Sequence, residues 1–184
     1  MAFVVVYDAC VLYPAAVRDL LIRLAASGLF QARWTDRILD ECFRSIVRAR
    51  PELAGRLDRT RALMEAAVPA AKVTGYEPLV ATLTLPDEDD RHVLAAAIKC
   101  SAQAIVTTNL RDFPVEALAP WEMEAQHPDT FVLHLLSLDP GAVVRAVVVQ
   151  AAGLKAPPVT VPELLSILEA RGLVQTAGEL PRLM

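Results

Sequence analysis

The side chains able to do chemistry in this sequence are chiefly carboxylates, held in four separated stretches. Asp8 ends the apolar run Phe3 to Tyr7, FVVVY. Glu41 lies in an amphipathic stretch, and the consecutive acids Asp87, Glu88, Asp89 and Asp90 open a small, apolar segment. Asn109 and Asp112 follow the apolar run Ala104 to Val106. Carboxylates gathered beside apolar elements cost free energy unless a cation or hydrogen-bond donors compensate them. Four adjacent like charges exceed what a helix dipole needs at its N-terminus, which points to a cation. Oxygen ligands of this kind suit a hard cation, Mg2+ or Mn2+. Such an ion with open water positions is an arrangement for hydrolysing a phosphodiester. There is no G-x-S-x-G, no glycine-rich phosphate loop and no cysteine–histidine pairing at an informative spacing. His92 lacks an H-x-x-x-H partner and reads as a structural histidine.

These acids need elements to hold them. FVVVY has the uninterrupted apolarity of a strand buried on both faces, as in a parallel sheet, and an acid at its carboxyl end stands where α/β folds bind ligands. Pro14 and Gly28 bracket a helix over Ala15 to Ala26, with Val17, Leu20, Leu21 and Leu24 as its stripe. Gln31 to Trp34 reads as a second strand. A helix capped by Thr35 or Asp36 runs to about Arg50, and a charged helix spans Glu52 to Val68. Lys72 to Val73 reads as a short strand, and Tyr76 to Leu85 as a loop with a helical turn. The acidic run opens a helix whose core side is Val93, Leu94, Ala97 and Ile98. Ala104 to Val106 is the next buried strand, and Glu122 to Gln126 an edge strand. Beyond Pro128 the pattern is helix upon helix: Phe131 to Leu138, then Asp139-Pro140 to about Ala152, then a capping-box start at Thr160 leading into Leu164 to Ala170. The class is α/β, a mostly parallel sheet flanked by helices, with residues 1–128 as the site-bearing part and 129–184 as a helical extension.

Composition sets bounds. With 184 residues and 54% hydrophobic content the chain can bury a substantial core. No apolar run reaches the roughly 18 to 20 residues of a membrane helix, and no basic leader precedes the first apolar run. Cys10, Cys42 and Cys100 are widely spaced within apolar patterns, which suits buried thiols and a reducing cytoplasm. The net charge of −4 argues against nucleic acid. Yet eight arginines fall between Arg33 and Arg61, enough local charge to steer a polyanion or to serve as a solvated helix face. On spacing alone Glu41 is an ion-pair partner for Arg37, one turn before it, and Arg44, three residues after it.

Taken together, VVYDACVLYP, the acid Glu41, PDEDDRHVLAAAI and IVTTNLRDFP resemble the PIN-domain ribonucleases, most of all the toxins of VapC-type toxin–antitoxin pairs. The likeness spans roughly residues 3 to 125. It implies a PIN-like fold and a Mg2+- or Mn2+-dependent endoribonuclease site. The family's acids fall on Asp8, Glu41 and Asp90. A fourth position falls on Asn109, where many relatives carry Asp, with Asp112 supplying the charge. Asp8, Asp90 and Asp112 are then the metal ligands, Glu41 and Asp112 orient waters or a second ion, and Asn109 lies on the substrate side. Arg37, Arg44 and Arg48 are phosphate contacts assigned by charge and location. Cys10 stands where Asn, Ser or Thr is common, and a thiol hydrogen-bonds a carboxylate poorly. The resemblance further implies an RNA substrate, a cognate antitoxin and a homodimer. Two rival readings remain. One is a non-catalytic PIN-like module that binds RNA or protein. The other is an aspartyl phosphotransferase of the dehalogenase type, disfavoured because Cys10 stands where its second acid belongs.

Overall fold

Four short strands, all parallel, form the centre of the molecule. The computed structural model describes residues 3–184, so the first two residues of the expected 1–128 part lie outside it. β1 (Val4–Tyr7), β2 (Gln31–Arg33), β3 (Ala104–Val106) and β4 (Glu124–Gln126) assemble in the order β2-β1-β3-β4. Val5, Val6, Tyr7, Ala104, Ile105 and Val106 are all fully buried, as continuous apolar strands covered on both faces must be. From β1 the chain builds outward to β2, then returns across to place β3 on the other side of β1. The reversal opens a crevice at the carboxyl ends of β1 and β3, the place where α/β sheets bind ligands.

The helices are α1 (Ala9–Leu12), α2 (Ala15–Ala26), α3 (Asp36–Ala49), α4 (Leu57–Ala67), α5 (Glu77–Val80), α6 (Arg91–Lys99), α7 (Val115–Leu118), α8 (Pro128–Leu138), α9 (Pro140–Gly153), α10 (Val161–Ala170) and α11 (Val174–Glu179). Thr35 caps α3 through a bond from the Ile38 amide to its hydroxyl, and Thr160 with Glu163 forms the full capping box on α10. Gly172, at φ +96°, ends the α10 region in a backbone conformation that side chains resist.

Three expectations change. The helix expected over Glu52 to Val68 splits into a 3-10 turn, Pro51–Arg56, and α4, because Pro51 and Gly55 disfavour a continuous α-helix there. The strand expected at Lys72 to Val73 is an isolated parallel bridge, Trp34 to Lys72. α8 begins at Pro128 rather than Phe131, since a proline is pre-organised for the first helical position.

The C-terminal helices share the core of the sheet. Phe131 of α8 packs edge-on to Phe30 with ring centroids 5.0 Å apart, and Tyr7 lies against both rings and stacks on Trp34. Gln150 of α9 donates to the Ala16 carbonyl at 2.9 Å. The buried Asp129 carboxylate accepts from the Gln175 and Thr176 amides, both at 2.9 Å, and so fixes the start of α11. Among the described residues no helix is long and apolar enough to cross a membrane.

Candidate active site

Asp8 follows β1 directly, and the sheet fixes its backbone: its amide donates to the Val106 carbonyl across the crevice. Its carboxylate is buried and hydrogen-bonded at both oxygens. One oxygen accepts from the Ala9 amide at 2.6 Å, which also caps α1. The other accepts from the Thr107 hydroxyl at 2.7 Å and from the Cys10 thiol at 3.1 Å. The Thr107 oxygen in turn accepts from the Asn109 amide at 3.0 Å. These donors compensate a buried charge that would otherwise be costly. Cys10 therefore does what a thiol was expected to do poorly. Burial, then the nearby Asp8 charge, pushes its thiol up to about 11, so at neutral pH it keeps its proton and remains a donor.

Glu41 enters from α3, a helix with Ile38, Leu39, Cys42 and Ile46 against the core. One carboxylate oxygen accepts from Arg37 at 3.0 Å, and the other lies 3.0 Å from Nε2 of the buried His92 on α6. Burial raises the Glu41 carboxyl, but His92 and Arg37 outweigh it and hold it below its ordinary 4.5. Both readings of Glu41 thus hold together: it is an ion-pair partner, and it faces the crevice. His92 is a structural histidine in the sense expected, since it braces a carboxylate from behind.

Asp90 precedes α6, and of the four-acid run it alone lines the crevice. Asp87 caps the following turn through the Asp89 amide, Glu88 pairs with Arg91, and Asp89 points to solvent. The run is not four charges facing one ion. Only Asp90 lines the pocket, with the Asp87 charge near enough to act on it. Burial and the charges of Asp8, Asp87, Asp112 and Glu41, in that order, raise the Asp90 carboxyl from 3.8 to about 7.

Asp8, Cys10, Tyr13, Glu41, Ser45, Asp90 and Asn109 line a pocket of about 390 Å3. Asp112 is outside that lining but near enough for its charge to act on Asp90. Arg37 reaches the pocket only through Glu41, and Arg44 and Arg48 are exposed on α3 without lining it. Thr107, Tyr13 and Ser45 escaped sequence reasoning. The T-T-N after the strand was the available signal for Thr107. A larger cavity, about 790 Å3, lies among α9, α10 and the chain end. It is lined by apolar residues around Glu169, and the convergent carboxylates mark the smaller pocket as the chemical one.

Asp8, Glu41 and Asp90 offer carboxylate oxygens to one pocket, the donor chemistry of a hard divalent cation. Among the described residues no three Asp, Glu, His or Cys side chains close on a common point as a ready-made cage. A hard cation bound there would keep several waters. Asp8 and Asp90 would hold it, with Asp112 close by.

A parallel sheet with acids at its switch point defines an α/β domain of the ligand-binding kind. The chain belongs to the PIN-domain family, whose model matches residues 4–111, and residues 128–182 match the VapC50 C-terminal domain. It is similar to a protein of Mycobacterium tuberculosis (strain ATCC 25618 / H37Rv), "Putative ribonuclease VapC50", at 42% identity over 94 residues, 51% of this chain and 55% of that one. The chain thus aligns with about half the length of the curated relative it matches. No solved structure matches it.

Proposed function

We propose that this protein is a metal-dependent endoribonuclease acting as the toxin of a type II toxin–antitoxin pair. The observation that carries the reading is the meeting of Asp8, Glu41 and Asp90, from three separated parts of the chain, in one pocket at the sheet's switch point. A relative named as a ribonuclease supports the substrate class. A divalent cation bound by Asp8 and Asp90 would supply Lewis acidity toward water and screen charge growing on the leaving oxygen. The chain's own residues do the rest. Thr107, Cys10 and the Ala9 amide fix the direction of the Asp8 carboxylate, which lowers the cost of reorganisation during the reaction. Glu41, ionised and clamped by Arg37 and His92, is the group able to orient a water or accept its proton. Asn109, exposed at the pocket rim, presents an amide to the substrate side.

The test is cleavage of a total RNA preparation in Mn2+ by the wild-type chain and by Asp8→Asn. Asn is the better substitution, because it keeps one acceptor oxygen where Ala would leave both the Ala9 amide and the Thr107 hydroxyl without any. Asp8→Asn should lower the rate at least 100-fold while the chain still unfolds in one cooperative transition, and EDTA should silence the wild type. Full cleavage by Asp8→Asn defeats the assignment. Absence of Mn2+ binding by calorimetry favours the non-catalytic module, for which Asn109 in place of an acid is the motivating residue. The antitoxin and the homodimer belong to the same proposal. Expression of the chain alone should arrest growth with discrete new RNA 5′ ends, and co-expression of a neighbouring small reading frame should relieve it.

A further inference from the structure

Next to the acidic pocket lies a second cleft, of about 400 Å3, with the opposite charge. Arg18, Arg50, Arg56 and Arg171 line it, and no acid does. The arginines come from four places in the chain. Arg18 is on α2, Arg50 follows α3, Arg56 ends the 3-10 turn before α4, and Arg171 follows α10 in the C-terminal helices. Four guanidiniums border one space that no acid lines, which gives the cleft a local positive field able to attract an anion. Arg56 and Arg171 are exposed and make no ion pair among the described residues. Arg50 pairs only with the exposed Glu52, a contact of little worth that a phosphate could replace.

Tyr13 joins the two spaces, lining both the acidic pocket and the arginine cleft. Its side chain is 40% exposed, and Arg18 fixes its backbone by donating to the Leu12 and Tyr13 carbonyls at 2.6 and 3.3 Å. An aromatic ring between cationic contacts is how proteins hold unpaired nucleic acid: the ring stacks on a base and the guanidiniums follow the backbone.

We propose that the cleft lined by Tyr13, Arg18, Arg50, Arg56 and Arg171 is the track along which single-stranded RNA leaves the carboxylate pocket. Arg56 and Arg171 contact its phosphates, and Tyr13 stacks on a base beside the scissile bond. The proposal rests on the ribonuclease reading above and adds to it a substrate track completed by the C-terminal helices. A phosphodiester placed at Asp8 and Asp90 has neighbours on the same strand that need somewhere to lie, and the basic cleft is the adjoining space.

The experiment measures binding of a 5′-fluorescein, 12-nucleotide unstructured RNA by anisotropy in Mg2+, over a range of salt. The protein is the full chain carrying Asp8→Asn, and gels of the same samples check that the RNA stays intact. Adding Arg56→Gln and Arg171→Gln should weaken binding about 10-fold. The slope of log K against log salt should also become shallower by about 1.4, two contacts at about 0.7 each for a single strand. Adding Tyr13→Leu should weaken binding about 5-fold or more with the slope unchanged. Removing the same charge elsewhere, by Arg145→Gln with Lys155→Gln, should leave Kd within about twofold. A slope unaltered by the Arg56 and Arg171 changes, with RNA still bound, overturns the track and leaves the ribonuclease reading standing. Competition by a hexaglutamate peptide equal to that of unlabelled RNA also overturns it, making the cleft a site for an acidic peptide. If the parent binds no RNA, or Asp8→Asn still degrades it, the ribonuclease reading falls and the track with it.

Discussion

Replacing Asp90 with Asn should stabilise the metal-free protein at pH 8 and leave it little changed at pH 4. The Asp90 carboxyl is raised from 3.8 to about 7, first by burial and then by the acids around it. A group whose folded value lies above its unfolded one binds its proton more tightly in the native state. Its contribution to stability is fully present below about 4 and is lost as pH rises through about 7. At about 1.4 kcal/mol for each tenfold, the whole difference would amount to about 4 kcal/mol. The carboxyl is only half-buried, and solvent screening brings the figure to about 1–2 kcal/mol. A further term opposes this gain: Asn gives up a negative charge at the start of α6, worth about 0.3–1 kcal/mol. The net is a gain of about 1 kcal/mol for Asp90→Asn at pH 8, or roughly 2–4 °C in Tm for a chain of this size. Thermal unfolding in EDTA at pH 4, 6 and 8, and again with Mn2+, reads it out. Mn2+ should raise the wild-type Tm at pH 8 and do little for Asp90→Asn. A lower Tm for Asp90→Asn at pH 8 in EDTA would show that the acids do not strain one another, and the electrostatic case for a cation would go with it.

Other consequences follow from the bonds around Asp8 and from the C-terminal packing. Thr107→Val removes the hydroxyl that donates to Asp8 at 2.7 Å, so it should cost about 1.5–3 kcal/mol of stability and lower kcat more than it alters KM. Cys10, with its thiol pushed up to about 11, should react with iodoacetamide at pH 8 far more slowly than free cysteine, and Cys10→Ser should keep cleavage activity. Fast alkylation with parallel loss of activity would contradict that. Asp129→Ala strips the acceptor from the Gln175 and Thr176 amides and should lower stability by about 3 kcal/mol, seen as a reduced urea midpoint.

Much of this architecture is written locally. FVVVY is apolar without a break, which suggests a strand covered on both faces, and β1 is that strand from Val4 to Tyr7, with Phe3 left exposed before it. Pro14 and the stripe Val17, Leu20, Leu21 and Leu24 specify α2 from Ala15 to Ala26. Thr160 and Glu163 announce α10 by their spacing. Asp8 and Asp90 were legible from their places at element ends, whereas Glu41, in the middle of α3, read as an ion-pair partner on spacing and came to the site only through the family resemblance. What was not legible depends on pairs far apart in the chain. The hydroxyl holding Asp8 comes from Thr107, and His92 reaches Glu41 from another helix. Neither leaves a periodic trace. The four-acid run misled because charge count says nothing of placement: of the four only Asp90 lines the pocket, while Asp87, Glu88 and Asp89 stay exposed around the 3-10 turn. Arg171 lies far from the arginine-rich stretch in sequence, and only the folding back of α10 brings it to the cleft.

The wedge made by Phe131 has an engineering consequence. Its ring closes an aromatic box with Phe30 and Tyr7, so the helices from α8 onward supply one wall of the sheet's own interior. A chimera that grafts these helices onto another domain of this fold would need a recipient carrying matching rings beside its first two strands. A deletion before Phe131 would open the box to water, so a shortened chain should aggregate rather than behave as a smaller enzyme.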